Sequence, residues 1–180
     1  MSARDHGPAH VDNPQRDVIY QWKAPSNGTF KVNCDAAVPL KGGLGSVAMV
    51  IRNHRGQLVD GRALRLRLHS SIQGELIAIR EACKMLDVMG IEGASVESDC
   101  KQAISLSVSE LVPPWEVSAI VKDIRSMAKR RKASLMWTNR MANRVAHLVA
   151  AKEARGTLPR NWVVCPPDDV LDILCTEPSD

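Results

Sequence analysis

A chain of 180 residues, 44% hydrophobic but only 3% aromatic, is long enough for one domain with a core of Val, Ile, Leu, Met and Ala. Its formal net charge of +4 permits a polyanionic partner without requiring one. No apolar run reaches the length of a membrane span, and the start, Met1 to Pro8, lacks a signal-peptide core. The five cysteines (Cys34, Cys83, Cys100, Cys165 and Cys175) form no close pair of the kind that holds zinc, and suit buried thiols in a reducing compartment. The chain therefore reads as soluble and intracellular, with nucleus and cytoplasm not distinguished.

Residues 1–17 mix His, Pro, Asp, Asn and Arg without periodicity and read as a disordered tail, ahead of one domain over 18–158 and an extension over 159–180. Order is expected from about Tyr20-Gln21-Trp22, with a turn at Pro25 to Gly28 leading into the first strand. In Phe30 to Ala37, a period of two sets Phe30, Val32, Cys34 and Ala36 on one face and Lys31, Asn33 and Asp35 on the other. Leu44 to Arg52 is a second strand, Asn53 to Gly56 a turn, and Gln57 to Leu68 a third strand, which together make an antiparallel meander. The period then changes. Leu76, Ile79, Cys83 and Leu86 fall at helical spacing between Gly74 and Met89, and Gly90 is the stop. Ala94 to Ser98 is a short strand. Helices over Lys101–Ser109 and Trp115–Arg131 flank Pro113-Pro114, Ser134 to Thr138 is a fifth strand, and Asn143 to Arg155 a helix ended by Gly156. This order predicts an α/β fold with a mixed five-stranded sheet, three strands antiparallel and then two parallel, flanked by helices.

Three acids stand on separate elements: Asp35 on the first strand, Glu75 at the opening of a helix, and Asp99 at the close of a short strand. Mg²⁺ is a hard cation that prefers oxygen ligands, and an open cluster of carboxylates leaves room for phosphate oxygens. Each acid also has an ordinary explanation. Glu75 suits the first turn of a helix, Asp99 suits a cap, and Asp35 suits a solvated strand face. Glu81 shares no helix face with Glu75, and Glu97 reads as solvated.

Four segments in order carry a resemblance: Lys-Val-Asn-Cys-Asp-Ala-Ala, Gly-Glu-Leu-Ile-Ala-Ile-Arg-Glu-Ala, Glu-Ser-Asp-Cys and Arg-Met-Ala-Asn-Arg-Val-Ala-His-Leu-Val-Ala. From about Trp22 to its end the chain resembles the ribonuclease H-like domains of plant genomes, many derived from non-LTR retrotransposons. The resemblance implies a ribonuclease H-like fold with Asp35, Glu75 and Asp99 as metal-binding acids. It also implies hydrolysis of the RNA strand of RNA–DNA hybrids by two ions, Mg²⁺ or Mn²⁺, leaving a 3′-hydroxyl and a 5′-phosphate. The expected partner is the hybrid and the expected state a monomer.

One position departs from that family. Its fourth acid falls in Asn-x-x-Ala-Asp, and this chain has Asn143-Arg144-Val145-Ala146-His147. Imidazole suits softer first-row ions better than Mg²⁺. Three roles stay open for His147: a weak metal ligand, a proton shuttle near neutral pH, or packing. No histidine stands in the loop before the last helix, where bacterial members carry a mobile one, and His54 and His69 read as surface residues. Candidate nucleic-acid contacts are Asn33, Gln73, Gly43 with its neighbours Gly42 and Gly45, Arg140, Asn143 and Arg144. Lys129 to Lys132 reads as a solvated helix end. The alternative function is a domesticated domain that binds nucleic acid or a protein without cleaving.

Overall fold

The computed structural model describes residues 21–177, so the N-terminal tail expected over residues 1–17 lies outside them. Strands β1 (Phe30–Ala37), β2 (Gly43–Asn53) and β3 (Leu58–Leu68) form the meander. They are followed by α1 (Ser71–Met89), β4 (Ser95–Ser98), α2 (Lys101–Val108), α3 (Ser118–Arg131), β5 (Ser134–Trp137), a 3₁₀ turn (Arg140–Ala142), α4 (Arg144–Arg155) and α5 (Asp168–Thr176). The sheet order is β3-β2-β1-β4-β5. β1–β2 and β2–β3 are antiparallel, whereas β1–β4 and β4–β5 are parallel. This is the mixed α/β sheet expected from the sequence.

The apolar face of β1 joins the larger core, where Val32 and Cys34 pack with Val47, Met49 and Ile51 of β2 and Leu76, Ile79, Cys83 and Leu86 of α1. A smaller core fills the opposite face, where Ala48 and Val50 meet Val145, Ala146, Val149 and Ala150 of α4, Trp162, and Val170 and Ile173 of α5. Residues 159–177 therefore pack on the domain. The apolar run read at Val170 to Leu174 belongs to a helix, opened by Asp168 and Asp169 where negative charge favours an N-terminus.

Because α1 packs on one face of β1 and α4 on the other, both of its faces are covered. Glu97, read from sequence as solvated, is only 7% exposed and forms an ion pair with Lys31 at 2.8 Å. Asn33 is wholly buried: its amide nitrogen donates to Glu97 Oε2 at 3.2 Å and its carbonyl oxygen accepts from the Trp22 indole at 2.9 Å. Arg52, 1% exposed, stacks on the Trp22 ring with its guanidinium 3.6 Å from the centroid and pairs with Glu177. Truncating one member of such a buried ion pair costs about 3–5 kcal/mol, because the other charge is left uncompensated.

Helix α1 begins earlier than its apolar period indicates. Ser70 caps it, with the hydroxyl oxygen accepting from Gln73 N at 3.3 Å, while Gln73 Oε1 accepts from His69 N at 2.9 Å. The Ser70-to-Gln73 spacing is that of a capping box, with Gln73 reaching back to the residue before the N-cap, and it moves Glu75 from the expected first turn to the fifth helical position. On β3, Gly61 is the seat of Trp162: a Cβ there would lie 2.3 Å from the indole ring. Gly61→Ala is expected to destabilise the fold by about 1–3 kcal/mol through overpacking. Urea unfolding checks this as a lower midpoint at unchanged slope.

Candidate metal centre

The register that pairs Asn33 with Glu97 and Cys34 with Ser98 brings the ends of β1 and β4 to one edge of the sheet. Asp35 lies near the end of β1 and Asp99 one residue past β4, while α1 carries Glu75 against them. One carboxylate oxygen from each of the three lies within 4.8 Å of the others, and among the described residues this is the group of acids, histidines and cysteines spaced to hold a metal ion.

Electrostatics mark the cost of that arrangement. Glu75 is pushed up to about 9, first by burial and then by the charges of Asp35 and Asp99. Asp99 is raised for the same reasons, burial leading and Asp35 second. The Ser98 hydroxyl donates to Glu75 Oε2 at 3.0 Å and accepts from Cys100 N at 3.1 Å. Trp137 Nε1 donates to the Asp99 carbonyl at 3.0 Å, and Lys101 Nζ lies 4.4 Å from the Trp137 ring centroid. Ser98, Lys101 and Trp137 were not singled out from sequence. Ser98 was reachable, since it precedes Asp99 on a strand aimed at the site.

His147 stands beside the trio and outside it. Its Nδ1 lies 2.7 Å from Asp35 Oδ2, and its Nε2 faces Arg140 Nη2 at 3.2 Å. Asp35 is 5% exposed in its side chain and His147 44%. The Asp35 hydrogen bond raises the imidazole above its ordinary value, while burial opposes that rise. Asn143 anchors the start of α4 to β1 by donating its amide to the Cys34 carbonyl at 3.0 Å, and its Oδ1 is buried without a partner.

The sequence-predicted contacts divide by exposure. Arg140 and Arg144 are exposed, and Arg140 lies beside the site against His147. Gly43 is open on the side a Cβ would occupy, whereas a Cβ at Gly45 would meet the Ala37 carbonyl at 2.4 Å, so Gly45 serves strand packing. Asn33 and Asn143 are interior and committed to the fold, and Gln73 caps α1. The two asparagine amides are thus enclosed by protein, while Gln73 is half-buried. Arg130 and Arg131 pair with Asp87, and Lys132 with Glu92.

The carboxylates of β1, β4 and α1 on a β3-β2-β1-β4-β5 sheet define a ribonuclease H-like α/β domain. A family model described as reverse transcriptase-like matches residues 33–153, and the chain belongs to that family. No curated protein matches the chain. Among solved structures, it resembles the N-terminal RNase H domain of a Mycobacterium tuberculosis protein, with a TM-score of 0.65 and 14% identity over 72% of this chain and 95% of that one. RNase H1 of the halophilic archaeon Halobacterium salinarum superposes with a TM-score of 0.61 and 16% identity over 72% and 99%. An RNase H1 from compost, solved in complex with an RNA/DNA hybrid, gives 0.61 and 14% over 69% and 95%.

Three clustered acids, of which Glu75 and Asp99 hold protons more tightly than usual, fit a divalent cation, because a cation relieves the same repulsion that a proton does. In metal-free protein, the Glu75 contribution to stability is fully present below its ordinary value of 4.5 and is lost as pH rises through about 9. Glu75→Gln is expected to flatten that decline and to raise the melting temperature in chelator at neutral pH. Mg²⁺ should raise the melting temperature of the unaltered protein and act much less on the variant.

Proposed function

We propose that this chain is a metal-dependent endonuclease that hydrolyses the RNA strand of RNA–DNA hybrids. The observation that supports this reading is the convergence of Asp35, Glu75 and Asp99 within 4.8 Å of one another on a ribonuclease H-like fold. Two divalent ions at that place, Mg²⁺ or Mn²⁺, would supply an activated water and a stabilised leaving oxygen for phosphodiester cleavage. Asp35 and Asp99 would hold them most directly, with Glu75 completing one set of ligands and orienting the water. His147 steadies the Asp35 carboxylate from its Nδ1 side and forms the outer edge of the site. Arg140 and Arg144, both exposed, meet strand phosphates. On this reading the protein acts as a monomer on the hybrid, and the resemblance of its four motifs supports an origin among the retrotransposon-derived plant domains.

A second reading is favoured by one contact. With His147 bonded to an Asp35 oxygen and no fourth acid in the cluster among the described residues, the site has fewer ligands to offer, which suits a domain that binds nucleic acid without cleaving it.

Cleavage of a hybrid labelled in its RNA strand, in Mg²⁺ and separately in Mn²⁺, decides between them. The nuclease reading expects cleavage that Asp99→Asn abolishes while hybrid binding and melting temperature are kept. Faster cleavage in Mn²⁺ would mark His147 as a ligand in addition to its hold on Asp35. Folded protein that binds the hybrid and cleaves it in neither metal establishes the binding module.

A further inference from the structure

Arg140 is held on both sides. Its 3₁₀ turn is capped by Asn139 Oδ1, which accepts from Met141 N at 2.9 Å, and is followed by Asn143, tied to the Cys34 carbonyl at 3.0 Å. The guanidinium is therefore presented by a braced turn, with Nη2 3.2 Å from His147 Nε2, while the other ring nitrogen lies 2.7 Å from Asp35 Oδ2. A guanidinium has donors and no acceptor. His147 Nε2 is consequently the acceptor of that contact, and Nδ1–H is the donor to Asp35. Both nitrogens of the imidazole are engaged, one by a cation open to solvent and one by a carboxylate that is not.

We propose that Arg140 is a positioning residue that couples the arrival of a strand phosphate to the state of His147. In the free protein, Arg140 occupies the Nε2 lone pair. A phosphate of the bound hybrid offers Arg140 a charged, bidentate acceptor in place of its single bond to a neutral ring. Both forks of the guanidinium use an N–H of Nη2, the atom that now faces the ring, and a fork that closes on a phosphate outside the site turns Nη2 with it. The phosphate draws it away, and Nε2 is left as a free acceptor at the edge of the carboxylate cluster. His147 keeps its hold on Asp35 throughout, so the ring turns from a closed link into one with a vacant lone pair only when nucleic acid is loaded. This deepens the hybrid-binding reading and rests on it, but requires no metal and no cleavage.

The test is ¹⁵N NMR of protein labelled at histidine, in chelator and at alkaline pH where the ring is neutral. The His147 ring signals are assigned by their loss in His147→Gln. The expected free protein shows the Nδ1–H tautomer, with Nε2 displaced in the manner of a hydrogen-bond acceptor. A saturating RNA–DNA hybrid moves Nε2 to the position of an unbonded acceptor. Arg140→Ala shows that position without hybrid and does not respond when hybrid saturates it. The variant also binds several-fold more weakly, with the slope of log affinity against log salt reduced by about 1. An Nε2 signal unmoved by bound hybrid, an identical Nε2 in the unaltered protein and Arg140→Ala, or a hybrid that does not bind overturns the proposal. Cleavage with a silent Nε2 removes this inference alone. A responding Nε2 without cleavage removes the nuclease reading and leaves this one standing.

Discussion

The parallel pairing of β1 with β4 is the constraint on which the rest of the structure depends. Parallel strands end at the same edge of a sheet, and a register that sets Asn33 opposite Glu97 sets Asp35 level with Asp99 two residues further on. Parallel neighbours also need a long connection, and here it holds β2, β3 and α1. That connection is what delivers Glu75 to the same edge. Three acids gathered in this way repel one another and lose water, as the displacement of Glu75 shows. The fold holds them there through the large core beneath α1 and the hydroxyl of Ser98. Stability is given up locally at the edge and recovered in the layer below.

The same strand explains the polar interior. With both faces of β1 covered, Lys31, Asn33 and Asp35 must be satisfied by protein. Lys31 and Glu97 neutralise each other, Asn33 links Glu97 to Trp22 and Arg52, and Arg52 reaches Glu177 beyond α5. At the far end of the row, Asp35 alone turns its oxygens toward open side chains, with His147 as the partner. One row of alternate residues thus runs from a sealed ionic network to a site half open to water. Burial, more than residue type, separates the structural acid Glu97 from the candidate ligand Asp99.

Much of this was legible in the sequence, and the misreadings have a common physical origin. Periodicity located all five strands and the helices before the last motif, because amphipathic period reports which residues face a core. It does not report what lies over the other face. Glu97 reads as solvated and Asn33 as a nucleic-acid contact because alternation suggests one wet face, and the elements packed over that face of β1 remove it. Gln73, a candidate contact, also serves the start of α1, a pattern that Ser70 three residues earlier spells out. The apolar run after Trp162 was seen without its helix, whose stability comes from packing on α4. The acids were identified from motif order, while the hold of His147 on Asp35 joins residues 112 positions apart and could not be read from spacing.

The ion pair of Arg52 with Glu177 bears on how the chain is made. The two residues are 125 positions apart, so a chain emerging from a ribosome completes its meander long before the acid that neutralises Arg52 exists outside the tunnel. Until then a guanidinium destined for the interior stays in water, and the face of β2 that α4 and α5 will cover stays bare. The closure of the second core is thus tied to the last elements of the domain to be synthesised.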